Sequence, residues 1–169
     1  MSCGDCQKIK APLSCGLCAK QLCKSCTQFL AGDSFLFNLS LPPQLQHQRY
    51  CLQCFSVSVQ PELDRYAELV SQAKEILVFE KSQSKETRLI SRKEELISIS
   101  NCVDREEAVM RLAFQAVQKG YNSIIDLDLT GKKVIRGGYQ KTYWSGTARP
   151  ADVSDKKLLK DRSLRSNPN

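Results

Sequence analysis

The stretch Cys15-Gly-Leu-Cys18-Ala-Lys-Gln-Leu-Cys23-Lys-Ser-Cys26 decides how this chain is read. It holds two Cys-x-x-Cys pairs with only four residues between them. Cys3/Cys6 stands before it and Cys51/Cys54 after it. Two intervening residues let both sulfurs of one turn reach a single metal at about 2.3 Å, which leaves two tetrahedral positions for another pair. Four pairs therefore predict two zinc ions held by Cys3, Cys6, Cys15, Cys18, Cys23, Cys26, Cys51 and Cys54. Sites closed by four thiolates keep no position for water, so they are structural and not catalytic. An iron–sulfur cluster is the competing use of such cysteines. A disulfide framework would need an oxidising compartment. Spacing alone leaves the pairing open: the first pair joins either the second, in sequence, or the third, as a cross-brace.

Outward from the cysteines, the composition narrows the classes. The chain has 169 residues and 41% apolar content, enough for one or two small domains with a core. No apolar run reaches the roughly 18 residues of a membrane span. No basic-then-apolar leader opens the chain. A cytoplasmic, reducing location is expected, where cysteines serve metal sooner than disulfides. The formal charge is +7 with cysteine counted as neutral. Eight thiolates against two divalent ions bring the loaded protein to about +3. A general polyanion-binding surface is not favoured on that balance.

After Cys54 the pattern changes. Residues 61–74 read as a connecting helix opened by Pro61, with Leu63, Tyr66, Ala67, Val70 and Ala73 as a stripe at helical spacing. Glu75-Ile-Leu-Val-Phe-Glu80 reads as a buried strand, 81–87 as a loop, and Leu96–Ser100 as a second strand. Asp104 and Glu107 resemble a capping box at the start of a helix ending at Gly120, with Leu112, Ala113, Ala116 and Val117 on its apolar face. Residues 123–129 predict a strand, Thr130-Gly-Lys132 a turn, and 139–148 a last strand. The expected organisation is a small cross-brace double-zinc finger followed by an α+β domain. Its parts are a finger at 1–60, a connecting helix at 61–74, an α+β domain at 75–149 and a disordered basic tail at 150–169.

The cysteine gaps resemble those of FYVE-type zinc fingers. Cys15–Cys26 is similar to that family's central stretch, and Arg49-Tyr50-Cys51 to its Arg-Val-Cys motif. The resemblance implies cross-bracing: Cys3, Cys6, Cys23 and Cys26 on one zinc, Cys15, Cys18, Cys51 and Cys54 on the other. The chain departs from the lipid-binding members. Where they carry arginines and histidines into the third cysteine, it has Ala11-Pro-Leu-Ser14, with Gly16 after Cys15. A phosphoinositide head group needs several charged donors, and Arg49 with scattered Lys8, Lys10 and Lys20 supplies few. Phosphoinositide binding is not favoured. The apolar loop from Phe29 to Leu45 is read as packing on the zinc core.

Residues 104–149 resemble the C-terminal part of the YbjQ family, described as heavy-metal-binding domains. Gly120, Asn122, Asp126, Asp128, Gly146, Thr147 and Ala148 carry the match. That family forms small α+β domains that assemble into rings, which implies a homo-oligomer through 75–149. No metal ligand is carried over from it.

The remaining residues take plain readings. Asp126 and Asp128 fall on one strand face, and a hard cation would need more oxygens than these two. Cys102 reads as a small buried hydrophobe and His47 as a loop residue, with no nucleophile beside it. Tyr139, Tyr143 and Trp144 suit a stacking platform for single-stranded nucleic acid, but aromatics on a final strand read better as core or subunit interface. Gly137-Gly138 marks a bend or bulge. The sum is a non-enzymatic zinc-binding adaptor with an unidentified protein partner. The alternatives are a phosphoinositide-targeting protein and a RING-like ubiquitin ligase module. Nucleic acid is not favoured.

Overall fold

The structure is a computed structural model that describes residues 1–154. The chain divides into two compact units, Met1–Glu68 and Leu69 onward.

The first unit is built from two short antiparallel pairs. β1 (Leu13–Ser14) pairs with β2 (Gln21–Leu22), and β3 (Gln28–Phe29) with β4 (Arg49–Tyr50). Each strand is two residues long because it has one task, which is to lead the chain into or out of a cysteine turn. The core is correspondingly small: Leu22, Leu30, Phe35, Leu45, Tyr50 and Val59 beside Cys15 and Cys51. The apolar loop is split. Phe35 and Leu45 are buried in that core, while Leu36 and Leu39 face solvent. Tyr50 anchors the loop's return, its hydroxyl donating to the carbonyls of Gln44 and His47 at 2.9 Å each.

The helix following the last cysteine pair starts earlier than its proline suggests. α1 (Leu52–Cys54) runs into a π-helical turn, Phe55–Val59, and then into α2 (Gln60–Glu75). The Gln60 N–H donates to the carbonyl of Phe55, five residues back. This widened turn takes the chain past Pro61, which has no N–H to give and whose ring would crowd an ordinary helical turn. Pro61 therefore lies inside the helix, and its reading as the first helical residue is corrected.

The second unit is a four-stranded mixed sheet with one helix. Its elements are β5 (Leu77–Glu80), β6 (Ile97–Cys102), α3 (Arg105–Gln118), β7 (Ser123–Arg136) and β8 (Tyr139–Ala151), in strand order β5-β7-β8-β6. β5 is parallel to β7, and β8 is antiparallel to both β7 and β6. Asp104 caps α3 by accepting the Glu107 N–H at 2.7 Å, and the Glu107 carboxylate takes the Val103 N–H at 2.7 Å. At the other end Gly120, with φ +85°, lets the Tyr121 N–H reach the Ala116 carbonyl. Leu112 and Ala116 pack onto Ile97, Ile124, Leu127 and Ala148, which is the main core. On the opposite face Ile90 covers Ile125, with Ala151, Val153 and Phe79.

Three sequence expectations change here. β5 lies at the sheet edge and is largely exposed, so it is not a buried strand. The hairpin turns at Gly137-Gly138, both at positive φ and flanked by the pair Arg136↔Tyr139, and not at Thr130–Lys132. β8 continues through Ala151, and Asn122 brackets Val153 through both its backbone N–H and its carbonyl, so the ordered chain passes residue 150. The rest of the expected tail, 155–169, lies outside the described residues.

Candidate metal centres

Both metal centres grow from one repeated turn. In Cys3-Gly-Asp-Cys6-Gln7, Gln7 has φ +59° and donates its N–H to the Cys3 carbonyl at 2.9 Å. In Cys15-Gly-Leu-Cys18-Ala19, Ala19 has φ +58° and donates to the Cys15 carbonyl at 3.0 Å. The reversal aims both sulfurs of each turn at one point. The glycine after each first cysteine then docks the turn elsewhere. Gly4 N–H donates to the Gln21 carbonyl at 2.8 Å, two residues before Cys23, and Gly16 N–H donates to the Arg49 carbonyl at 2.9 Å, two residues before Cys51. The first turn is thereby tied to the third pair and the second turn to the fourth. A Cβ on Gly16 would lie 2.4 Å from Cγ of His47, so the close approach needs glycine. This is what Gly16 does in place of a charged residue, and the repeated Cys-Gly-x-Cys was the signal for it.

The sulfurs follow the backbone. Cys3, Cys6, Cys23 and Cys26 form one group and Cys15, Cys18, Cys51 and Cys54 the other, with the ligand atoms of each within 4.8 Å of one another. Across the brace, Cys6 and Cys23 sulfurs are 3.5 Å apart and those of Cys18 and Cys51 3.8 Å. A tetrahedron with metal–sulfur bonds of about 2.3 Å has edges of about 3.8 Å, so both groups fit a zinc ion. The third pair is fixed by Thr27, whose N–H and hydroxyl both donate to the Cys23 carbonyl. The fourth opens α1, where the Cys51 sulfur accepts the Cys54 N–H at 3.4 Å.

The thiols are poised for a cation. The Ser25 hydroxyl and then Cys6 hold Cys23 down to about 6, while Cys26 is pushed up to about 12 by the neighbouring Cys6 and Cys23 sulfurs. In the second group burial works to raise Cys15, but the backbone N–H groups of Cys18, Cys51 and Leu17 outweigh it and hold the thiol at about 6. Burial and the Cys51 sulfur push Cys54 up. Within each group some sulfurs give up their proton readily and others keep it, because a retained S–H hydrogen-bonds to its neighbours and burial penalises a further charge. A divalent ion offsets that charge and displaces the remaining protons.

The other singled-out residues have structural partners. Lys20, one of the scattered basic residues, pairs with Asp5 at 2.8 Å. His47 packs edge-on against Tyr50. Cys102 is buried, and burial raises its thiol. Asp126 sits at a bulge with φ +53°, a conformation that aspartate tolerates better than most residues. Its carboxylate takes a two-pronged contact from Arg92 at 3.0 and 3.1 Å, while Asp128 pairs with Lys81 at 3.0 Å. Asp128 stays exposed on its strand face, while Asp126 is half-buried between Arg92 and Arg149. Tyr139 and Tyr143 share a face of β8, and Trp144 points to the other. Tyr139 is 80% exposed, so of the two readings, core or subunit interface, it is not core of its own chain. No helix of the described residues is long and apolar enough to cross a membrane. Comparison with protein families, curated proteins and solved structures returns no match for this chain.

Proposed function

We propose that the chain is a non-enzymatic cytoplasmic adaptor. Its first unit is a zinc-ordered recognition head of FYVE-like type without the lipid-binding basic motif. Its second is a YbjQ-like α+β unit that joins copies of the chain or docks a partner protein. The observation that carries this reading is the closure of both cysteine groups. Each supplies four sulfurs to one point, which suits zinc that orders the chain and leaves no coordination position for a substrate. The exposed Leu36 and Leu39 give the membrane reading its main support, but the loop from Phe29 to Leu45 that carries them has no basic side chain. A RING-like ligase module fits less well, since such modules usually include histidine ligands and His47 packs on Tyr50 instead.

Native mass spectrometry of the full chain reads zinc per chain and subunits per particle together, and cobalt substitution reads the donor set. The expected result is two metal ions per chain with all-sulfur tetrahedral spectra and particles larger than one subunit. Fewer than two ions, or a cobalt spectrum showing bound water, overturns the structural-zinc reading. A strictly single-subunit particle removes the assembly role and leaves partner docking.

A further inference from the structure

The hairpin of β7 and β8 outruns its sheet. β5 pairs with β7 only as far as Leu127, and β6 pairs with β8 from Ala148 to Trp144. From Lys132 to Tyr143 the two strands pair with each other, and among the described residues no other strand pairs with them. Because cross-strand partners share a face, Lys132 with Tyr143, and Val134 with Lys141, lie on the same side as Tyr139. The order along β8 on that face is Tyr139, Lys141, Tyr143, continuing past Ser145 to Thr147 and Arg149. The last two line a cleft of about 740 Å³ with Lys81, Arg88, Arg92, Asp126 and Asp128, where the acids already pair with Lys81, Arg92 and Arg149, so the uncompensated charge lies on the arm itself. Between Thr130 and Thr147 the sequence has four basic residues and no acidic one.

We infer that this arm binds single-stranded nucleic acid, with Tyr139 and Tyr143 stacking on bases and Lys132 and Lys141 meeting phosphates. Lysines on an open hairpin also guard its edges against pairing, but guarding gives no reason for an exposed tyrosine alternating with lysine on one face. A second copy of the arm is a poor occupant, since both would carry the same uncompensated positive charge. A polyanion with flat faces complements both features: aromatic rings take bases of any sequence, and the cations follow the backbone. Duplex nucleic acid offers phosphates but keeps its bases stacked away from the tyrosines. The inference goes beyond the adaptor reading and does not rest on the zinc sites.

The test is fluorescence anisotropy of labelled oligothymidylate and oligouridylate with the full zinc-loaded chain, across a salt series. Every variant keeps the basic residues 156–165, and its two zinc ions and Trp144 emission are checked. Tyr139→Ala should weaken binding about ten- to a hundredfold, and Tyr139→Phe should retain it. Lys132→Gln with Lys141→Gln should flatten the salt slope by about 1.4. Four results overturn the inference: no binding at low salt; binding untouched by the arm variants; a matched duplex or heparin bound equally well with no effect of Tyr139→Ala; or retention by phosphatidylserine vesicles in place of oligonucleotide.

Discussion

The two units reach order by different routes. In the first, β1 to β4 are two residues each and the buried apolar side chains are few, so the fold depends on sulfurs brought together from distant turns. In the second, a helix packs on a four-stranded sheet through Leu112, Ala116, Ile97, Ile124 and Leu127, a core of apolar side chains. A small domain can replace missing core with a metal, because binding energy released only in the folded state becomes folding energy. The difference teaches where each unit is fragile: the first at its ligands, the second at its packing.

The sharpest way to break the contrast is at the cysteines. In the cross-brace, Cys3→Ser with Cys23→Ser damages one site, while Cys3→Ser with Cys15→Ser damages both. Native mass spectrometry should therefore count one zinc in the first double variant and none in the second. Each lost site should cost the finger on the order of 10 kcal/mol of metal-linked stability. The reverse counts would establish sequential pairing. Trp144, the only tryptophan, lies in the second unit, so its emission should not change in either variant.

A smaller effect sharpens the other side. Leu112 is fully buried between α3 and the sheet. Leu112→Ala should lower the stability of the second unit by about 2–5 kcal/mol, read by Trp144 emission in a denaturant series. Zinc content should stay at two ions per chain. Loss of zinc in this variant would show that the units do not fold separately.

The smallest effect concerns pH. The Val103 N–H, then Arg111, holds the Glu107 carboxyl below its ordinary range. A carboxyl depressed in the folded state stabilises above its unfolded value, about 4.3, and that contribution fades as pH falls through the folded value. Glu107→Gln should therefore cost about 1 kcal/mol at neutral pH and almost nothing in acid below the native titration. A penalty constant across pH would mean that shape, and not charge, holds the cap.

The features legible in sequence were those set by local chemistry. Cys-x-x-Cys spacing named all eight candidate ligands, and Asp104, Glu107 and Gly120 placed α3 within two residues of its ends. Misread features depended on what lay across the fold. Pro61 looks like a helix start until the π turn before it accommodates the missing N–H. Thr130-Gly-Lys132 looks like a turn until its residues pair with Trp144, Tyr143 and Ser145, leaving Gly137-Gly138 to reverse the chain. The charge partners of Asp126 and Asp128 lie on the segment after β5, dozens of residues away, where no periodicity points to them. The pairing of the cysteines was written in Gly4 and Gly16, as N–H donors whose acceptors only the folded chain reveals.

The interlaced brace also sets a timetable at the ribosome. Cys26 completes the first cage, but the second waits for Cys54, and Gly16 has no acceptor until Arg49 emerges. At about 5–20 residues per second, the thiols of Cys15 and Cys18 stand open for about two to seven seconds. From Cys26 onward the nascent chain carries an unfinished half-site beside a complete one, and its two thiols stay open until Cys51 and Cys54 arrive.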